Sequence, residues 1–194
     1  MKKELVIGIV SLFAAFTLTA CANDKNETTS NENMDMNASS EESMNIDHSK
    51  MNHSSSGEVP EGLKVAVNPT YPVGSQAIIE TDHMEGMKGA EATIVGAYDT
   101  IVYTISYTPT IGGEKVTNHK WVIQEEIKDA DDKSLKPGSK VTIEANHMKG
   151  MQGATAEIDS AEQTTVYMVD YTPTTGGEKV TNHKWVTESE LSSK

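Results

Sequence analysis

GGEKVTNHKWV, residues 112–122, returns unchanged as residues 176–186. Working outward from this pair, residues 74–122 align with 138–186 at a constant offset of 64 without a gap, and 31 of the 49 positions are identical. A repeat of that length is two copies of one small unit in tandem. Asp129-Ala130-Asp131-Asp132-Lys133 is the polar junction between them.

Each copy reads as β structure. Lys140-Val141-Thr142-Ile143-Glu144-Ala145 alternates with Val141, Ile143 and Ala145 on one face, the period of a half-buried strand. Ala90–Ile94 and Ala154–Ile158 supply further short strands. Tyr103–Tyr107 and Tyr167–Tyr171 place two tyrosines and a β-branched residue on one side. Thr108-Pro109-Thr110 and Gly112-Gly113 then end the strand, because proline lacks a donor and paired glycines favour a turn. A last strand runs through His119, Trp121 and Ile123, which share a face at period two. Short strands between turn signals predict an all-β fold of two small, strongly bent barrels, over 64–128 and 129–194.

The N-terminus has another character. Lys2 and Lys3 precede an apolar run from Leu5 to Leu18 that closes on Leu18-Thr19-Ala20-Cys21. This is the pattern of a secretory signal, residues 1–20, ending in a lipobox. Cys21, the single cysteine, would carry the lipid. The expected location is the extracytoplasmic face of the cell membrane, lipid-anchored. Residues 21–63 are rich in Asn, Ser, Glu, Asp, Met and Thr and hold too few apolar side chains to offset chain entropy. They read as a disordered Met/His-rich tether.

The net charge is −13 and the chain has no arginine. Nucleic-acid binding needs a basic stripe, and phosphate clamps favour the guanidinium fork, so neither partner is expected. No Ser/His/Asp or Cys/His arrangement is placed for nucleophilic work, so no enzymatic activity is expected.

One motif carries chemistry. His83-Met84-Glu85-Gly86-Met87-Lys88-Gly89 recurs as His147-Met148-Lys149-Gly150-Met151-Gln152-Gly153. The motif is an inter-strand loop in which Gly86 and Gly89 allow positive φ, and a tight turn of this kind brings His83, Met84 and Met87 towards one point where the backbone is locally helical. His147, Met148 and Met151 repeat the set. An imidazole with two thioethers is a soft donor set that selects Cu(I) or its mimic Ag(I) over zinc, magnesium or calcium. His119 and His183 are further candidate ligands, or they serve the fold. The methionines have a second reading as adaptable core filler in a mature chain without phenylalanine. Against filler alone, four of the six histidines lie within three residues of a methionine, and His48, Met51 and His53 do so in a segment with no core to fill. These three read as auxiliary, weaker metal ligands, since an unfolded site loses entropy on closing round an ion.

The signal and lipobox, the tail ending HSSSGEVPEGL, HMxGMxGA and YTPTxGGEKVTNHKWV together resemble the YdhK-like family of bacterial lipoproteins, which includes CopL-type copper-binding lipoproteins. The resemblance covers essentially the whole mature chain. It implies tandem SH3-like β-barrels that bind and sequester Cu(I) through His83, Met84, Met87, His147, Met148 and Met151, contributing to copper resistance. It also implies copper ions as ligand, the membrane as partner through the lipid, and a copper exporter as a candidate recipient. Glu85 against Lys149 and Lys88 against Gln152 change the charge beside the motif without removing a donor. An alternative from another class is a cell-envelope adhesion module, binding wall polymer or peptide through Tyr103, Tyr107, Trp121 and their second-copy counterparts.

Overall fold

The computed structural model describes residues 53–194. Cys21, His48 and Met51, together with the signal and most of the tether, lie outside the described residues. Eight strands form one antiparallel sheet: β1 (Lys64–Val65), β2 (Gln76–Ile79), β3 (Glu91–Tyr107), β4 (Val116–Ile123), β5 (Lys140–Thr142), β6 (Thr155–Tyr171), β7 (Val180–Thr187) and β8 (Leu191–Ser193). A 3-10 turn follows β4 at Gln124–Glu126 and another follows β7 at Glu188–Glu190. Among the described residues there is no α-helix.

The strands expected at 90–94 and 103–107 are parts of one strand. β3 and β6 each run for 17 residues and pair along their whole length, from Ala92↔Tyr171 to Tyr107↔Ala156. No proline interrupts either, and both are rich in β-branched and aromatic residues that suit a pleated surface. The pairing skips Val95 in one strand and Asp159, its repeat equivalent, in the other. A bulge at each point bends the strand without ending it.

This long pairing decides how the cores are built. Ala77, Ile79, Met87 and Ile94 of the first repeat pack with Tyr167, Val169, Tyr171 and Leu191 of the second. The complementary halves, Tyr103, Ile105, Tyr107 and Ile127 with Ile143, Met151, Ala154 and Ile158, form the other core. Val102, Trp121 and Ile123 meet Val166, Met168 and Trp185 between them. Each core therefore joins the N-terminal half of one repeat to the C-terminal half of the other. The sequence repeats 64–128 and 129–194 are not the packing units.

The exchange reaches the strand ends. β8, last in the chain, pairs with β2 of the first repeat (Ile79↔Leu191), and Ile127 bridges to Ile143 in the same way. The hydrogen-bonded path runs β5-β6-β3-β2-β8, with β1 and β4 on β3 and β7 on β6. The order is open, and the expected all-β, two-repeat fold takes the form of one antiparallel sheet.

The C-terminal end of the expected tether also belongs to this unit. The Ser55 amide donates to the Thr181 carbonyl at 3.0 Å, the Thr181 amide donates to Ser54 Oγ at 3.0 Å, and Ser55 Oγ donates to the Asn182 carbonyl at 2.7 Å. Residues 54–55 thus lie along β7 as a strap. Pairing a sheet edge satisfies backbone groups that a polar composition alone does not reveal.

Candidate functional site

The two motif loops join β2 to β3 and β5 to β6. In the first, the Met87 amide donates to the Met84 carbonyl at 3.1 Å and the Ala90 amide to the Met87 carbonyl at 3.1 Å. These are two successive turns. Gly86 (φ +75°) and Gly89 (φ +79°) sit third in them, where a type II turn requires positive φ. The second loop matches, with Met151 N to Met148 O at 3.1 Å and Ala154 N to Met151 O at 3.0 Å.

The expected donors of each loop differ in burial. Met87 and Met151 are 0% exposed and sit in the two apolar cores, where they pack and face no cleft. Met84 and Met148 stay half-buried at the rim. The packing reading therefore describes one methionine of each motif, and the other stands beside its histidine.

Each loop is held by the other repeat. The Thr174 amide donates to the Gly86 carbonyl at 2.8 Å and the Thr110 amide to the Gly150 carbonyl at 2.9 Å. A Cβ on Gly86 would stand 2.8 Å from Pro173 Cβ and 2.6 Å from Thr175 Oγ1. With its positive φ, Gly86→Ala should cost about 2 kcal/mol or more in a denaturant titration, whereas Gly112→Ala, with nothing within 4 Å, should show only the cost of its φ.

A cleft of about 1100 Å³ lies over the loops. His53, His83, Met84, His119, His147, Met148 and His183 all line it. Five histidines separated by up to 130 positions in sequence are thus gathered on one wall system, including His53 from the strap. A hydrogen bond from the Tyr107 hydroxyl reaches the Met148 sulfur at 3.9 Å.

His119 and His183 enter from β4 and β7. Before each stands an asparagine with left-handed backbone, Asn118 (φ 51°) and Asn182 (φ 52°), a conformation asparagine tolerates well. Register shifts flank both histidines, and such irregularities re-aim side chains. Each ring meets a core tyrosine edge-on, Tyr107 at 6.0 Å and Tyr171 at 5.7 Å. His119 Nε2 and His183 Nδ1 are buried without a hydrogen-bond partner. Burial first, then the neighbouring histidines, pushes both rings down to about 3, so they are neutral near pH 7. A buried ring nitrogen with no partner is costly, and a soft cation is a chemistry that would satisfy it.

His83 and His147 are held differently. His83 Nε2 lies 2.6 Å from Glu190 Oε1, and Glu190 Oε2 accepts from the Trp121 indole at 2.8 Å and from the Thr187 amide at 3.1 Å. His147 Nε2 lies 2.7 Å from Glu126 Oε1, and Glu126 Oε2 accepts from the Trp185 indole at 3.2 Å and the Ile123 amide at 3.2 Å. Burial would raise Glu190, but His83, the Thr187 amide and Trp121 together hold its carboxyl down at about 2. Both glutamates close the 3-10 turns after β4 and β7.

Sequence reading missed Glu126 and Glu190. The signal was there: they match at the same offset of 64, four positions beyond the aligned segment. Their role was not visible, because each reaches the histidine of the opposite repeat. Tyr103, Tyr107, Trp121 and Trp185, considered for surface contacts, are all buried. Among the described residues no group of three or more His, Cys, Asp or Glu side chains is placed to hold a metal ion. Imidazoles and two thioethers on the cleft are donors that suit soft ions, and carboxylates, Asp82, Glu85 and Glu144 among them, line it as well.

Known proteins give the chain its relatives. The family model described as "Protein of unknown function (DUF1541)" matches twice, at 73–124 and 137–188, the two repeats read above. The chain is 62% identical over 191 residues to "Uncharacterized protein YdhK" of Bacillus subtilis (strain 168), covering 98% of this chain and 90% of that protein. It is similar to a crystal structure of a DUF1541 family protein (ydhK) from the same organism, with 71% identity and a TM-score of 0.73, over 76% of this chain and all of that one. A solution NMR structure of the ydhK C-terminal domain matches with 75% identity and a TM-score of 0.61, over 63% of this chain and 93% of that one. Two family matches in register with the internal repeat, and one relative spanning nearly the full length, place this chain in the DUF1541 family as a homologue of YdhK.

Proposed function

We propose that this protein is a lipid-anchored, extracytoplasmic binding protein for soft monovalent cations, Cu(I) foremost, which sequesters the ion and performs no turnover. One observation carries the reading: His83, His119, His147 and His183 share a single cleft with Met84 and Met148, and two of those rings hold buried nitrogens without a partner. Neutral imidazole and thioether are donors that Cu(I) prefers over hard-ion oxygen sites. The −13 charge draws cations to the surface, while His53 on the strap links the cleft to the Met/His-rich segment before it. Lipidation at Cys21 is the anchor in this reading. We read each repeat as SH3-like in character, with the cleft taking residues from both.

The test is Cu(I) titration of the intact chain against a chromophoric competitor, with wild type and His119→Gln/His183→Gln compared. The double variant should bind at least ~10-fold more weakly. Wild-type chain that leaves the competitor fully loaded would overturn the proposal. Adhesion through aromatic contacts gains nothing from the structure, since those aromatics are buried.

A further inference from the structure

The cross-repeat glutamates explain more than the closure of two turns. A neutral imidazole offers one lone pair, and the hydrogen bond made by one ring nitrogen decides which nitrogen keeps it. In His83, Nε2 faces Glu190 Oε1 at 2.6 Å. That carboxylate already receives the Trp121 indole and the Thr187 amide on its other oxygen, and a carboxylate is an acceptor only. Nε2 must therefore be the donor. Nδ1 is the ring nitrogen left to the cleft that His83 lines beside Met84. His147 stands in the same relation to Glu126, Trp185 and Ile123, with Met148 at its side in the same cleft.

The arrangement is rigid for a reason. Glu190 occupies the third position of a 3-10 turn and accepts from the amide of Thr187, the residue that precedes the turn, and the indole that donates to the same oxygen comes from β4 of the opposite repeat. The histidine comes from that same first repeat. One carboxylate thus ties the loop after β2 and the strand β4, both of the first repeat, to the C-terminal turn of the second. Glu126 ties the mirror set. Carboxylate–histidine pairs of this kind fix the ring orientation and raise the basicity of the free nitrogen.

Resting on the metal-binding reading above, we propose that Glu126 and Glu190 are positioning residues acting across the repeat boundary: Glu190 holds His83, and Glu126 holds His147, in the Nε2–H tautomer, so that Nδ1 of each motif histidine is the atom offered to a soft cation. Each half of the cleft is then completed by a residue of the other repeat. A repeat separated from its partner keeps its histidine and methionine but loses the group that aims the ring.

The experiment is 15N-resolved NMR of the imidazoles in the intact chain, metal-free and then titrated with Ag(I), alongside Cu(I) competition. Wild-type His83 and His147 should each show the Nε2–H tautomer, and the metal should shift Nδ1. Glu190→Gln should raise the Nδ1–H population of His83 alone and weaken Cu(I) binding about 10- to 100-fold; Glu126→Gln should do the same for His147 alone. A merely structural glutamate would leave the tautomer unmoved. Should a variant fail to fold, the wild-type tautomers still decide. If the wild type takes up Cu(I) but carries the Nδ1–H tautomer or binds through Nε2, the positioning role falls and the binding reading stands. A wild type that takes up neither Cu(I) nor Ag(I) overturns both.

Discussion

Met87→Ala should destabilise the folded chain by about 2–5 kcal/mol, with Met151→Ala costing a similar amount. Both side chains are fully buried, Met87 among Ile79, Ile94, Tyr167 and Leu191 and Met151 among Ile105, Tyr107, Ile143 and Ile158. Truncation leaves a void that a wall of long β-strands cannot easily collapse to fill. Met84→Leu and Met148→Leu, at half-exposed rim positions, should cost less than about 1.5 kcal/mol because leucine keeps most of the volume. The metal readout should run the other way. Replacing Met84 and Met148 by leucine removes the thioethers that line the cleft and should cut Cu(I) affinity, while Met87→Leu and Met151→Leu should leave it unchanged. Equilibrium denaturation of Met87→Ala, Met151→Ala, Met84→Leu and Met148→Leu, and competitive Cu(I) titration of the four leucine variants, check the two halves. Equal stability losses at rim and core, or affinity lost on changing Met87, would contradict this division.

Acid should unfold the metal-free protein early. An unfolded histidine titrates near 6.5, but burial and the surrounding histidines lower His119 and His183 to about 3 in the folded chain. Between these values the unfolded state binds protons that the folded state refuses. Stability therefore falls as pH drops from 6.5 towards 3, by roughly 1.4 kcal/mol per pH unit for each such histidine. Glu190 acts in the same direction over a lower window. Its carboxyl, at about 2 in the fold against an ordinary 4.5, contributes stability that is complete above 4.5 and lost as pH falls towards 2. Urea or guanidinium unfolding at intervals from pH 7.5 to 4 should show a steep decline that His183→Gln makes shallower. A flat profile across that range would show that the two rings are not held neutral inside the fold.

Several features were legible along the chain. The alternation from Lys140 to Ala145 gave Val141, Ile143 and Ala145 as core positions; the last two are buried and Val141 is half-buried. The repeat placed the motif between strands, and the glycines marked its turns. Less was legible where local pattern had two outcomes. Gly86 and Gly89 serve a tight loop of either helical or turn type, and only in the turn do Met84 and Met87 part, one to the rim and one to the core. The polar composition of Ser54-Ser55 reads as tether, because an edge strand's offer of hydrogen bonds lies 127 positions away in sequence, at Thr181 and Asn182.

By itself, then, the order of residues determined the β character, the doubling and the His–Met motif, since these follow from periodicity and near neighbours. Tertiary structure decided which half packs with which. With most of the core positions repeated, a strand of one copy fits its own copy or its twin almost equally well, so local patterning could not choose between them. The long pairing of Glu91–Tyr107 with Thr155–Tyr171 chose the twin, and in doing so gathered the histidines of both repeats around one cleft.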